Sequence, residues 1–518
     1  MDHGKLEAQR LVLQAELDAQ KSQVERNKLG QFATPTALAR EILSASLGLL
    51  PPDETIRFLD PAIGTGAFFS ALLATASHAR IAKAVGYEVD AHYGSPAIEL
   101  WRGTGLDYRM GDFTTQEPGE RANLVICNPP YVRHHHMTKE KKISLQDASE
   151  HTFGVRVAGL AGLYTYFLAL SHAWMAENGI AAWLVPSEFM DVNYGRAVKK
   201  YLLGKVTLLR IHRFEPHDAQ FNDALVSSSV IWFRNAPPPP THHVEFTFGG
   251  TLADARVRKM IADTDLADEP KWTHYPVSGV RIQRSGARIG DFFKIHRGIA
   301  TGDNKFFLLT AEQASARGIP AQFLRPILPS PRYLKDSEIP AETDGTPKIE
   351  KPLFLLDCRL PPEEVAARHP ALWAYLSSGI PRVSNRYLCA HRSPWYRQEN
   401  RPPAPILCTY MGRSGGKNGK APFQMILNHS KAIAANVYLM LYPKPSLQSA
   451  IDERPELLHK VWQFLQTVRL EEMLDEGRVY GGGLHKMEPK ELANVGAGEI
   501  AELISLGKPQ RRSLSAAE

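Results

Sequence analysis

An apolar run halted by two prolines sets the frame for this chain. Leu124-Val125-Ile126-Cys127 has the continuous apolar character of a strand buried on both faces. Asn128-Pro129-Pro130-Tyr131 follows. Neither proline can donate to a ladder, and each fixes its own φ. The strand must therefore stop in a rigid turn at its carboxyl end, where open α/β sheets place their ligands. That turn presents one carboxamide, backbone carbonyls with no helix to join and one aromatic face. Asn128 Oδ1 and the Pro129 carbonyl can each accept one hydrogen of an exocyclic –NH2, and Tyr131 can stack on the ring that carries it.

Asn-Pro also occurs in ordinary turns, so the weight comes from what stands upstream. A first strand at 56–59 leads into Asp60-Pro61-Ala62-Ile63-Gly64-Thr65-Gly66-Ala67-Phe68-Phe69 and then an Ala/Leu-rich helix. Gly64 and Gly66 permit a tight turn and close approach of a ligand. Position 69 is Phe, so this is not G-x-G-x-x-G, and no P-loop pattern occurs. An acidic residue at the strand end suits a cationic ligand better than a pyrophosphate. S-adenosylmethionine, with an ammonium and a sulfonium, fits Asp60 better than NAD or ATP does. A second strand, 84–90, brings Glu88 to the position where a carboxylate grips a ribose diol, with Asp90 the lesser candidate. A short third strand brings Asp112 to accept from an adenine amino group and Phe113 to pack on the adenine. Any one of these acids alone is better read as a solvated loop charge; polar residues at four successive strand ends are harder to dismiss.

Residues 5–28 read as one amphipathic helix that Gly30 can end. Thr34 in Gly30-Gln31-Phe32-Ala33-Thr34-Pro35 is placed to cap a helix over 36–50, and the same loop is placed over a bound cofactor. His134-His135-His136 cannot easily converge on one ion, and no acidic or cysteine partner stands at ligand spacing. No metal is expected; a mobile basic loop running on through Lys139, Lys141 and Lys142 is the better reading. A long helix is expected over 158–177, a strand over 180–185, a helix over 196–203 and strands over 206–214 and 225–233. Phe221, in the polar loop between the last two, reads as core from the loop alone.

With 518 residues, 43% hydrophobic and 22% charged, the chain is long enough for two or three globular domains. Its net charge of +6 permits a polyanionic partner without demanding one. Cys127, Cys358, Cys389 and Cys408 lie far apart with no C-x-x-C, which fits a reducing cytoplasm and neither zinc nor disulfides. No signal-type segment or membrane span is expected. The four prolines at 237–240 suggest a stiff linker, giving a domain over 1–236, a second over 241–507 and a disordered tail over 508–518. Segment 381–420 holds eight Lys/Arg, among them Arg392, Arg397 and Lys417, against Glu399 alone, with Tyr387, Trp395, Tyr396 and Tyr410 interleaved. That is the footprint of a nucleic-acid surface, although charge runs are commonly only solvated faces. A weaker patch includes Arg297.

Taken together, the first 235 or so residues resemble the amino-group DNA methyltransferases of type II restriction–modification systems, in the class ordered cofactor motif, NPPY motif, recognition domain. DPAIGTGAF, GYEVD, GDF, NPPY and GQFATP are the stretches that carry the resemblance. It implies a Rossmann-like α/β domain with a mixed seven-stranded sheet and a C-terminal α+β recognition domain. Thr34, Asp60, Pro61, Ala62, Gly64, Gly66, Glu88, Asp112, Phe113 and Asn128 are implied to bind S-adenosylmethionine. Asn128, Pro129 and Tyr131 are implied to be catalytic, and Phe221 to stack on an extruded base opposite Tyr131. Asn at the first NPPY position goes with adenine N6 and Ser with cytosine N4, so adenine is implied. Arg297, Arg392, Arg397 and Lys417 are the DNA-binding candidates. His296 to Asn304 and Tyr480 to Lys486 are more loosely similar to the recognition domains. The expected partners are double-stranded DNA and a separate restriction endonuclease, with the methyltransferase a monomer. The rival readings are cytosine N4 methylation, methylation of RNA or of a protein glutamine, and a non-catalytic DNA-binding module.

Overall fold

The run that ends at Asn128 is a strand whose six residues, Ala122–Cys127, are all buried. It belongs to a nine-stranded sheet made of β1 (Ile56–Asp60), β2 (Ile81–Glu88), β3 (Leu106–Met110), β4 (Ala122–Cys127), β5 (Met175–Pro186), β6 (Thr207–Arg213), β7 (Ser228–Arg234), β8 (His243–Gly250) and β9 (Ala255–Ala262). The order is β3-β2-β1-β4-β5-β7-β6-β8-β9. β1 is parallel to both β2 and β4, β2 to β3 and β4 to β5, whereas β7 runs antiparallel to β5 and β6. The chain reverses its direction of travel between β1 and β4, so a crevice opens at their carboxyl ends. Asp60 and Asn128 leave the sheet there from neighbouring strands. The computed structural model describes residues 2–215, 227–276, 286–413, 421–480 and 484–505.

Helices α1 (His3–Ala19), α2 (Gln23–Leu29), α3 (Thr36–Leu47), α4 (Ala67–Thr75) and α5 (Ala91–Leu100) are the first five α-helices of the chain. The expected helix over 5–28 is therefore two. Gln20 ends the first, and Ser22 and Glu25 form a reciprocal capping box that starts the second. The expected helix over 158–177 is also shorter, Leu163–Ser171. Residues from Met175 onward join β5 instead, Met175 pairing with Ala122 of β4; strand pairing overrides the helical propensity of that stretch.

The four prolines do not separate domains. Contacts divide the chain into Met1–Arg281 with Tyr480–Gly482, and Ile282–Val479 with Gly483–Glu518. The prolines instead connect β7 to β8, which pairs with β6 and buries Val244 and Phe246 in the same core. The sheet thus has two strands more than expected, and the first unit does not end at 236. The proposed tail over 508–518 lies outside the described residues.

The second unit is α+β. Phe293–Arg297, Tyr438–Pro443, Ile406–Thr409, Met425–Asn428 and Glu338–Ile339 form a five-stranded sheet. Leu308–Thr310, Leu353–Leu356, Leu324–Leu328 and Ile433–Ala434 form a four-stranded one. Among the described residues no helix is long and apolar enough to cross a membrane.

Candidate functional site

Asn128 is oriented by the loop that precedes α3. Its Nδ2 donates to the Phe32 carbonyl at 2.9 Å and to Thr34 Oγ1 at 3.1 Å. Thr34 is thus not the cap expected of it; Pro35 stands at that position, with no side-chain cap bond. With both amide hydrogens used, the acceptor Oδ1 is the end of the carboxamide left for a ligand. Among the described residues, neither Asn128 Oδ1 nor the Pro129 carbonyl receives a hydrogen bond. The loop is tied to the turn a second time, the Tyr131 N–H donating to the Gly30 carbonyl at 3.1 Å. Gly30 has φ +66°, and a Cβ there would fall 2.3 Å from Tyr131 N, so only glycine allows this approach.

Tyr131 is more deeply placed than a surface stacking platform. It is 8% exposed, its hydroxyl donates to the Leu184 carbonyl at 3.0 Å, and its ring lies 5.8 Å from that of Phe32. Phe221, expected opposite it, lies outside the described residues.

Beside this turn a cavity of about 640 Å³ runs along the strand ends of β1 to β4. Pro61, Ala62, Gly64, Glu88, Asp112, Phe113 and Asn128 line it, whereas Thr34, Asp60 and Gly66 do not. Glu88 accepts from the Gly64 N–H at 3.1 Å and the Asp90 N–H at 2.8 Å, one on each oxygen, leaving further lone pairs for a diol. Burial raises its pKa, against the pull of those two N–H groups. Asp60 is 1% exposed. Burial pushes its pKa up to about 8, opposed by the Ala62 N–H and reinforced by the nearby Glu88. Two carboxylates with raised pKa values and, among the described residues, no ion pair suit a ligand that brings positive charge.

Asp112 is committed otherwise than expected. It accepts from Thr114 N and Oγ1 and ion-pairs with Lys141 at 2.8 Å. Although burial acts upward, Lys141 and Thr114 hold its pKa low. Lys141 is accordingly part of a helix, Lys139–Phe153, and not of a mobile basic loop. Phe113 is 2% exposed and packs on Tyr87, Phe167 and Trp174 at 5.6, 5.6 and 5.1 Å, lending the cavity an apolar wall. His134–His136 form one 3-10 turn, and among the described residues no side-chain cluster has the make-up of a metal site.

Sequence reasoning missed the part played by α1. Gln14 and Asp18 line the cavity. Thr65, inside the glycine turn, donates to Gln14 Oε1 at 2.6 Å and accepts from Arg10 at 3.4 Å. Arg10 is in turn paired with Glu7 at 2.7 Å, both nearly inaccessible, and Glu7 also accepts from Ser70 of α4 at 2.5 Å and from Thr36 of α3. The signal was there: Glu7, Arg10 and Gln14 recur at three- and four-residue spacing and so share one helix face. Asp90, the lesser ribose candidate, is held by Lys21 and Gln31.

In the second unit the predicted DNA-binding arginines divide. Arg392 is half-buried and committed inward: it donates to the carbonyls of Thr301 at 2.8 Å and Ala300 at 2.6 Å and to Gln398 at 3.2 Å. Arg297 is exposed, yet it donates to the Asn436 carbonyl at 3.0 Å and lies 3.9 Å from the Tyr410 ring. Arg397 is exposed and makes no ion pair among the described residues. Lys417 lies outside them.

Residues 111–221 match the family of Eco57I restriction-modification methylases, and residues 275–509 match the C-terminal domain of the type II methyltransferase M.Eco57I. The chain belongs to the type II restriction–modification methyltransferases. This methyltransferase is 28% identical over 486 residues to the type II methyltransferase M.AccI of Acinetobacter calcoaceticus, covering 90% of this chain and 85% of that protein. It is 26% identical over 496 residues to M.XamI of Xanthomonas campestris pv. amaranthicola, with the same coverage of 90% and 85%. In fold it is similar to the chain in a DrdV–DNA complex, with TM-score 0.53 and 12% identity over 93% of this methyltransferase and 57% of that chain. The α/β methyltransferase domain followed by a further C-terminal domain is the architecture the sequence implied.

Proposed function

We propose that this methyltransferase transfers a methyl group to N6 of an adenine flipped out of duplex DNA, with S-adenosylmethionine as donor. The observation that carries the reading is the Asn128 carboxamide, held through Nδ2 by Phe32 and Thr34 so that Oδ1 is the end presented. The adenine amino nitrogen is a poor nucleophile because its lone pair is delocalised into the ring. Accepting one N–H at Asn128 Oδ1 and the other at the Pro129 carbonyl favours a pyramidal nitrogen and returns that lone pair. The proton is lost from an already cationic product, so no strong base is needed beforehand.

The cavity fits the donor by its chemistry. S-adenosylmethionine supplies a methyl group activated on a sulfonium. Glu88 would hold the ribose hydroxyls, Phe113 and the neighbouring wall the adenine, and Asp60 the positive end from behind Ala62. Pro61, Ala62 and Gly64 supply the close backbone, and the 30–34 loop closes over it. Extruding the base costs a few kcal/mol. Stacking on Tyr131 and Phe221 would recover roughly 1–3 kcal/mol each.

The second unit would hold the duplex, the reading supported by its match to a type II methyltransferase C-terminal domain and by a related fold solved as a DNA complex. The modification would protect host DNA from a separate cognate endonuclease, the methyltransferase acting as a monomer. Incubation with labelled donor and duplex DNA, followed by single-base mapping, tests the reading. It predicts N6-methyladenine at one short sequence; N4-methylcytosine, or label only in RNA or protein, contradicts it.

A further inference from the structure

The second unit contains a cavity of about 500 Å³ where the turn at 300–305 faces Arg382, Arg386 and Leu388. The carbonyl side of that turn is occupied. Arg392 takes the carbonyls of Ala300 and Thr301, and Arg386 donates to that of Gly302 at 3.4 Å. The amide side is not: the N–H groups of Gly302, Asp303 and Asn304, all lining the cavity, meet no acceptor among the described residues. Gly302 has φ +93°, and a Cβ there would fall 2.6 Å from Cys389 Sγ. Successive N–H groups around a left-handed residue form a concavity of positive potential.

The side chains add to that potential. Asp303 is 4% exposed. It gives Oδ1 to the N–H groups of Lys305 at 3.0 Å and Phe306 at 3.2 Å. Its other oxygen stands 3.2 Å from Arg386 and 3.5 Å from Arg382. One carboxylate therefore holds two guanidinium groups at the cavity's rim, and each guanidinium keeps N–H donors to spare. Lys305 lines the same cavity, exposed and without an ion pair among the described residues. Three cations against one carboxylate leave the cavity net positive.

We propose that this cavity seats one phosphodiester of the DNA backbone, gripped by Arg382, Arg386 and Lys305 and by the amides after Thr301. The inference rests on the DNA reading above and names where the second unit takes hold. Asp303 is a positioning residue: it touches no phosphate and keeps the two arginines pre-set. A phosphate contact fixes register and carries no sequence information, so the seat serves every duplex alike.

The test is duplex binding by the full chain across a salt series. Each phosphate neutralised contributes about 0.9 to the slope of log K against log salt. R382Q/R386Q is expected to make the slope shallower by about one, to weaken cognate and non-cognate duplexes by the same factor and to leave methyl-donor binding unchanged. Because the double variant strips Asp303 of its partners, K305Q is measured beside it. Lys305 makes no ion pair among the described residues, and its loss is expected to lower the slope by a fraction of that amount with no change in melting temperature. An unchanged slope in both variants overturns the proposal. So does weakening confined to the cognate duplex, which would make the cavity a reader of bases. If the unsubstituted protein holds no duplex, the DNA reading fails and the seat with it; if it does and both variants keep their slope, only the seat fails.

Discussion

Thr34 and Asn128 are joined by a hydrogen bond of 3.1 Å in which the carboxamide is the donor. The bond connects a loop ahead of the first strand to the turn after the fourth, 94 residues on. Together with the bond from the same nitrogen to the Phe32 carbonyl, it decides which end of Asn128 faces outward. An acceptor facing outward suits an amino group.

Thr34→Val removes that acceptor at nearly constant volume and leaves the Phe32 carbonyl in place. Losing one such bond is worth about 0.5–1.5 kcal/mol, or about 2- to 13-fold in rate. Single-turnover transfer is expected to slow within that range, with donor affinity nearly unchanged. A variant that loses donor affinity and keeps its transfer rate would place Thr34 in the cofactor wall and not behind Asn128.

Asp60 titrates at about 8 by burial and the proximity of Glu88. Below that pH the carboxyl carries a proton, which a cationic ligand must expel as it settles, because the cation favours the carboxylate. Affinity for S-adenosylmethionine should therefore climb as pH rises toward about 8 and level off above it. Asp60→Asn should flatten that dependence. Calorimetry in buffers of different ionisation enthalpy would read the proton release directly; none detected at neutral pH would count against a charge-matching role for Asp60.

Glu7 and Arg10 form a nearly inaccessible ion pair beneath the glycine turn. Removing one partner of such a pair leaves the other charge buried, at a cost of about 3–5 kcal/mol. Arg10→Met should lower the melting temperature sharply, and Glu7→Leu/Arg10→Met together should recover much of the loss. Glu7 is held down at about 2, its bonds to Arg10, Ser70 and Thr36 outweighing burial. Its stabilising contribution is thus complete above its unfolded pKa near 4.5 and fades as pH falls toward about 2. Equal acid sensitivity in the unsubstituted and Glu7→Gln proteins would remove Glu7 from this account.

How far the sequence discloses all this differs by residue. That Asp60, Glu88 and Asn128 stand at strand ends was legible, because those ends are marked in the chain by apolar runs and their breakers. The work of Thr34 was not, since a Thr before a helix satisfies the cap pattern equally well and only tertiary structure brings Asn128 to it. The boundary at 237–240 misled because prolines stiffen a connection without revealing where the next strand packs; β8 rejoins β6 through pairing that no local pattern reveals. Arg392 misled for a like reason, as a basic run does not show which guanidinium turns inward.

Arg392 and Arg397 should consequently behave as opposites. Arg392→Gln leaves the carbonyls of Ala300 and Thr301 without their donor and is expected to lower the stability of the second unit. Arg397→Gln should leave melting untouched and make the salt dependence of duplex binding shallower by up to about 0.9. Salt titrations and melting curves on both variants distinguish the roles, and a stable Arg392→Gln protein would contradict the inward assignment.

The most direct trial of the account is a paired measurement on Asn128→Ala: donor titration and single-turnover transfer to duplex DNA, on one preparation. The account predicts donor affinity within a few-fold of the unsubstituted protein and no detectable methylated adenine. Adenine methylated at an appreciable rate by a variant with no carboxamide at that turn would contradict it.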